Sequence, residues 1–284
     1  MVPDQIILAT DFSPASSAAS SVAARMAQLF KCKVLLIHVF QYAARHEYKV
    51  PVGWMIEIIR NDVKRQILKA QQAFTEMDIE TETLLVEDGF PVVEILHVAQ
   101  SYKTSVIVMG THAVGGMDRF LLGSTAEGVL REAICPVITV GPHVQPANAS
   151  KGIGRLLFAT DFSKESLNAV PFVGMLRDAS APSLQVLHVQ TDIDAVEASE
   201  TQLFDSLRTA LDVPDTIRQH PATEYLTLHG AAVAQAISNE AERLPADLVI
   251  LGVKRASAFA THLAPKVAFQ IIAAAPCAVL TLSS

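Results

Sequence analysis

Ala9-Thr10-Asp11-Phe12-Ser13 recurs letter for letter as Ala159-Thr160-Asp161-Phe162-Ser163, 150 residues further on. At the same offset Leu36-Ile37-His38-Val39 matches Val186-Leu187-His188-Val189. The offset then falls to 142: Val106-Ile107-Val108-Met109-Gly110 aligns with Leu248-Val249-Ile250-Leu251-Gly252, and Cys135-Pro136-Val137-Ile138-Thr139-Val140 with Cys277-Ala278-Val279-Leu280-Thr281-Leu282. Four blocks matched in one order mark a duplication, and a repeat has to be recognised before a fold is assigned.

Each copy alternates short apolar runs with helical stretches. In the first, strands are expected near 5–10, 33–39, 79–86, 105–109 and 136–140, and helices over 14–30, 55–77, 91–103 and 124–133. The strand runs are continuously apolar, as in parallel strands covered on both faces. A β-α-β-α order with such strands implies a parallel sheet with right-handed crossovers. The fold class is therefore α/β: two tandem open parallel-sheet domains, each of about five strands with helices on both faces. The uncharged stretch from Gly141 to Ser150 reads as a fairly stiff linker, with two prolines and little Gly–Ser repetition. The expected division is a first domain over 1–142, a linker over 143–152 and a second domain over 153–284. Within the helix expected over 55–77, Met55, Ile56, Ile58, Ile59, Val63, Ile67 and Leu68 read together as a core or packing face.

The chain has 284 residues, half of them hydrophobic, and a formal net charge of −7. Residues 1–142 carry 12 basic and 15 acidic groups, residues 151–284 carry 10 and 14. Neither half is a basic module, and the expectation is no nucleic-acid partner: polyanion binding needs clustered Lys and Arg. The first residues lack the basic-then-apolar pattern of a secretory signal, and no apolar run approaches a membrane span. The expected location is cytoplasmic, without membrane contact. Cys32, Cys135 and Cys277 are scattered and read as small buried hydrophobes.

Open parallel sheets bind ligands beyond the carboxyl ends of their strands. After strand 1 come Thr10, Asp11, Phe12, Ser13 and Pro14. Ser13 suits the N-cap and Pro14 the first position of the next helix. Asp11 is either a turn aspartate bonding the backbone or a ligand contact. After strand 4 the chain reads Gly110-Thr111-His112-Ala113-Val114-Gly115-Gly116, then Gly123-Ser124-Thr125. Glycines allow backbone N–H groups to approach an anion closely, and the helix that follows presents its positive end. Ser124 and Thr125 add hydroxyls. Ser124-x-x-Glu127 also fits a capping box, in which Ser124 merely starts the helix. A phosphate cradle explains the glycines better. The pattern is neither a P-loop nor a GxGxxG fingerprint.

These residues resemble the universal stress protein family, whose nucleotide-binding members carry G-x2-G-x9-G-[ST] after strand 4 and an aspartate after strand 1. Gly110, Ala113, Gly123 and Ser124 occupy the motif's places, and the resemblance spans almost the whole chain as two Rossmann-like domains of the adenine-nucleotide α-hydrolase type. It implies a stress-response module binding ATP, alone or with Mg. Asp11 would contact the ribose and the backbone around Val39 the adenine, with Thr10 and Met109 also among the nucleotide-binding residues. Gly110, His112, Ala113, Gly115, Gly116, Gly123, Ser124 and Thr125 would hold the phosphates. It further implies pairing of the two domains within the chain, with association of two chains as a second level. Ala113 departs from the motif's glycine, at a cost of about 1 kcal/mol for an alanine in a left-handed conformation. Weakened or shifted phosphate binding is expected.

The second copy departs further: Arg255, Pro265 and Lys266 replace the motif's second glycine, third glycine and hydroxyl residue. Pro265 supplies no N–H where the cradle needs one. The expectation is a nucleotide in the first domain and a non-binding or altered second copy. No metal-ligand spacing and no catalytic motif is evident. His38 and His188 are repeated strand-end residues, and Asp192 with Asp194 reads as surface. Two alternatives stay open. One is a nucleotide-free interaction scaffold. The other is a slow ATPase with Asp11 placing a metal or water and His112 as the only soft candidate base.

Overall fold

The computed structural model describes residues 2–40, 53–111, 122–144, 152–191, 197–211, 221–254 and 266–283. The first half runs β1 (Gln5–Ala9), α1 (Pro14–Phe30), β2 (Lys33–Phe40), α2 (Gly53–Glu76), β3 (Thr81–Glu87), α3 (Pro91–Gln100), β4 (Ser105–Gly110), α4 (Ser124–Glu132) and β5 (Val137–Val140). The second runs β6 (Arg155–Ala159), α5 (Lys164–Leu167), α6 (Val170–Ser180), β7 (Ser183–Gln190), α7 (Glu197–Leu211), β8 (Thr223–His229), α8 (Val233–Arg243), β9 (Leu248–Val253), α9 (Lys266–Ala274) and β10 (Ala278–Ser283).

The strands lie in the order β3-β2-β1-β4-β5-β10-β9-β6-β7-β8. Within each half every pairing is parallel. This is the α/β architecture expected from the continuous apolar runs, and β1 and β4 are buried along nearly their whole length. Helices α1, α2, α6 and α7 cover one face. Helices α3, α4, α8 and α9 cover the other. β1 sits between β2 and β4, and β6 between β7 and β9, so each half has a switch point where successive crossovers diverge and leave a crevice.

The halves meet along β5 and β10, which pair antiparallel with Ile138 opposite Leu280. Thr139 Oγ1 donates to the Val279 carbonyl at 3.2 Å, and Thr281 Oγ1 donates to the Val137 carbonyl at 3.3 Å. These bonds are related by the same pseudo-twofold that relates the copies. Phe30 on α1 and Phe172 on α6 stack edge to face at 6.2 Å across the boundary, and the Arg131 guanidinium on α4 lies 5.8 Å from the Phe269 ring centre on α9.

Three local readings change. The helix after β6 breaks into α5 and α6, unlike α1. Pro171 stands where the first copy has Ser21; it has no N–H to give Leu167, and in a continuous helix its ring would collide with that carbonyl. Helix α3 ends at Gln100, three residues before the expected end. On α2 the core face is narrower than the apolar residues suggest: Val63, Ile67 and Phe74 are buried and Ile59 packs against them, while Ile58 and Leu68 face solvent.

Candidate functional site: a cleft at the strand ends

The turn after β1 is a small hydrogen-bonded device. Thr10 Oγ1 accepts the Phe12 amide at 3.1 Å, and Asp11 Oδ1 accepts the Ser13 amide at 2.9 Å. Ser13 Oγ then caps α1 by accepting the Ser16 amide at 3.3 Å, with Pro14 in the first turn. Phe12 takes a left-handed φ of 59° and stacks on His38 at 4.9 Å between ring centres. His38 Nδ1 donates to the Thr10 carbonyl at 2.7 Å and so ties β2 to the end of β1. The second half repeats the turn, with Lys164 in the place of Pro14. Phe162 also has φ 59° and lies 4.9 Å from His188, whose Nδ1 donates to the Thr160 carbonyl at 2.9 Å. Asp11 therefore holds the turn as a backbone-bonding aspartate while its exposed side chain borders the crevice.

Gly110 ends β4 against the start of α1. A Cβ there would stand 2.7 Å from the Ala15 carbonyl carbon, so no larger residue fits without moving the backbone. Gly252 is held the same way: a Cβ there would collide with the Glu165 carbonyl oxygen and the Ser166 backbone. Both glycines bring a strand end and a helix start into contact, whatever else they do.

At α4 the capping box does not form. Gly123 is the N-cap, with φ −62° and no side-chain cap, and Ser124 is the first helical residue. Glu127 is drawn forward instead to Arg131, which donates to Oε1 through Nη2 at 2.6 Å and Nε at 3.0 Å. The register differs by one residue because a glycine at the cap position leaves no side chain to fill it. Ser124 is consequently exposed at the helix start, and no hydrogen bond of its hydroxyl occurs among the described residues.

Thr10, Asp11, Val39, Met109, Gly110, Gly123, Ser124 and Thr125 all line one cleft of about 300 Å³ at the carboxyl end of the sheet. The structure thus brings together the strand-1 carboxylate, the β2 end and the α4 N-terminus. His112, Ala113, Gly115 and Gly116 lie outside the described residues. Pro91 and Ile95 on α3 also line the cleft, together with Ser16 on α1. Neither α3 residue belongs to a strand-end motif, so the sequence argument does not reach them. The available signal is the start of α3 directly after β3, on the ligand-facing edge.

The second half has its own cleft at the equivalent place, about 520 Å³, bordered by Thr160, Asp161, His188, Val189, Ile237, Leu251, Gly252, Lys254 and Val267. Burial disfavours the charged form of Asp161, yet hydrogen bonds from the Ser163 hydroxyl and amide outweigh it and hold the carboxyl below its ordinary value. The thiols are pushed the other way, Cys32 up to about 11 and Cys277 to about 12, chiefly by burial, and Cys135 is raised for the same reason. Such thiols are packing residues and poor nucleophiles at neutral pH. Among the described residues no group of three His, Cys, Asp or Glu could hold a metal ion. No described helix is long and apolar enough to cross a membrane.

Fold and clefts together define a tandem, doubly wound α/β protein with one strand-end crevice per half. The chain matches the universal stress protein family over residues 3–141 and 152–283, and it belongs to that family. It is 31% identical over 138 residues to universal stress protein MJ0531 of Methanocaldococcus jannaschii, covering 48% of this chain and 81% of that one. It is 28% identical over 209 residues to universal stress protein Rv2623 of Mycobacterium tuberculosis, covering 68% and 65%. In fold it is similar to a universal stress protein from Archaeoglobus fulgidus, with a TM-score of 0.76, 19% identity and 98% and 96% of the two chains covered.

Proposed function

We propose that this protein is a stress-response module that binds ATP, or a related adenine nucleotide, in the cleft of its first half. In this reading residues 1–142 form the nucleotide-binding domain, 143–152 the linker and 153–284 a copy whose cleft has lost the phosphate cradle. The observation that carries the reading is the exposed start of α4. Gly123 caps the helix without a side chain, leaving the first-turn N–H groups, the positive helix end and the Ser124 hydroxyl directed at the same cleft as Asp11. An anion held by such donors matches the residues present. Val39, Ile37, Met109 and Ile95 give the apolar walls a flat base needs. The pairing through β5 and β10 is read as the working assembly, with the second half completing the sheet of the first.

Calorimetric titration of the purified chain with ATP tests this. One equivalent of ATP per chain is expected, and Asp11→Ala or Gly123→Pro is expected to lower its affinity about tenfold, the size of one lost charge-assisted contact. Unchanged affinity in both variants would place the nucleotide elsewhere.

A further inference from the structure

Helix α2 packs Val63, Ile67 and Phe74 into the core and turns a second face to water. On that outer face Trp54, Ile58 and Leu68 are 61%, 59% and 64% exposed. Between them stand Glu57, Asn61, Lys64 and Arg65, also exposed. Positions 54, 58, 61, 65 and 68 follow one another at steps of four and three, so they form one stripe along the helix. At 1.5 Å per residue the stripe runs about 21 Å from Trp54 to Leu68. An exposed apolar side chain standing singly needs no explanation, whereas three on one stripe of one helix mark a surface that meets a partner.

The stripe is laid out symmetrically about Asn61, with opposite charge on its two sides. Trp54 stands seven residues before Asn61 and Leu68 seven after; Glu57 and Ile58 precede it at the spacings at which Arg65 and Lys64 follow. The Glu57 and Arg65 side chains are 60% and 79% exposed. Each also pairs within the helix, Glu57 with Arg60 at 2.6 Å and Arg65 with Asp62, but a carboxylate accepts several donors and a guanidinium offers five. We propose that this stripe is a docking surface for a second copy of the chain, the two α2 helices packing antiparallel about a twofold axis at Asn61. Trp54 then lies over the partner's Leu68, and Ile58 is covered by the apolar stem of the partner's Lys64. Glu57 faces the partner's Lys64 and Arg65, and symmetry makes each contact twice. A parallel pairing would bring the two Glu57 side chains together and the two Arg65 side chains together, so like charge selects against it. One helix pair is a small interface, which makes the dimer weak and dependent on concentration. No residue of α2 borders either cleft, so the contact is independent of what the clefts hold.

The test is sedimentation velocity of the full chain from micromolar to near-millimolar concentration. The average mass of wild type rises from one chain toward two, and Leu68→Glu holds it at one. Two charge variants locate the contact. Glu57→Lys alone, and Lys64→Glu/Arg65→Glu alone, each weaken the dimer about fivefold or more, because two facing charge pairs become like-charged. An equimolar mixture of these two variants associates as tightly as wild type, since each chain again meets opposite charge on the other. All four positions are exposed, so the substitutions leave the fold intact, and urea unfolding of each variant checks that. The proposal is overturned if wild type stays a single chain over the whole range, if Leu68→Glu associates like wild type, or if mixing the charge variants restores nothing.

Discussion

Thr10 and Thr160 each commit a hydroxyl to the amide of a phenylalanine two residues on, and that phenylalanine sits at φ 59° in both halves. A left-handed non-glycine residue costs about 1 kcal/mol or more, which the Phe–His stacking and the threonine bond offset. This explains why five residues survived duplication unchanged when the glycine loop did not: they build the turn that joins strand, helix and neighbouring strand. Persistence of Asp161 is therefore no evidence by itself for a nucleotide in the second half. Thr10→Val should lower stability by about 1 kcal/mol, because the Phe12 amide loses its acceptor, and Thr160→Val should cost more, because the Thr160 hydroxyl also bonds the Ser166 hydroxyl at 2.8 Å; urea unfolding measures both. Asp161 gives a second handle. Its carboxyl is held below the ordinary 3.8, so the charged form stabilises the fold above that pH, and the stabilisation is lost as pH falls through the lowered value. Asp161→Asn should unfold more easily at neutral pH and show a flatter acid limb than wild type below about pH 4. Parallel acid limbs would remove the role assigned to the Ser163 bonds.

The elements of the first half were legible because apolar runs and helical stretches alternate cleanly, and Ser13-Pro14 announces the start of α1. What was not legible depends on register and on contacts from other elements. Ser124 and Glu127 have capping-box spacing, yet Gly123 takes the cap and Arg131 takes Glu127, a choice that spacing alone does not contain. Pro171 is visible in the sequence, and it splits a helix that is continuous in the first copy. Pro91 and Ile95 reach the cleft through the packing of α3 over the switch point, which no local pattern encodes. The eight predicted residues that do converge were readable because the crossover rule fixes which strand ends meet. The α4 register makes a sharp prediction. Removing a serine that caps a helix costs about 1 kcal/mol. Ser124→Ala should instead leave unfolding stability within about 0.3 kcal/mol, as for a surface substitution, while lowering ATP affinity. A substantial loss of stability would restore the capping reading.

Across the whole sheet the outer strands are the polar ones. β3 carries Glu82 and Glu87, with Lys33 beside Glu80 and Glu82, and β8 carries Glu224 and His229. Charged edges resist pairing with other chains. The inner ends are the opposite: β5 is Val137-Ile138-Thr139-Val140, buried throughout, and β10 begins Ala278-Val279-Leu280, also buried. Either half alone would expose a bare apolar strand, so the second half has a structural reason to persist whatever its cleft holds. The seam is specified by more than the ladder. Thr139 and Thr281 are almost fully buried, and each sends its hydroxyl across to the opposite backbone. Valine in both places keeps the shape and removes only those two bonds, each worth about 0.5–1.5 kcal/mol. The double variant Thr139→Val/Thr281→Val should therefore lose about 1–3 kcal/mol in equilibrium unfolding. Its two single variants should lose nearly equal amounts, since the pseudo-twofold makes their surroundings alike. Coupling of the halves adds a second readout: wild type should unfold in one transition, and weakening the seam should broaden it or split it in two. A double variant as stable as wild type, with a single sharp transition, would mean that the threonine bonds do not hold the halves together.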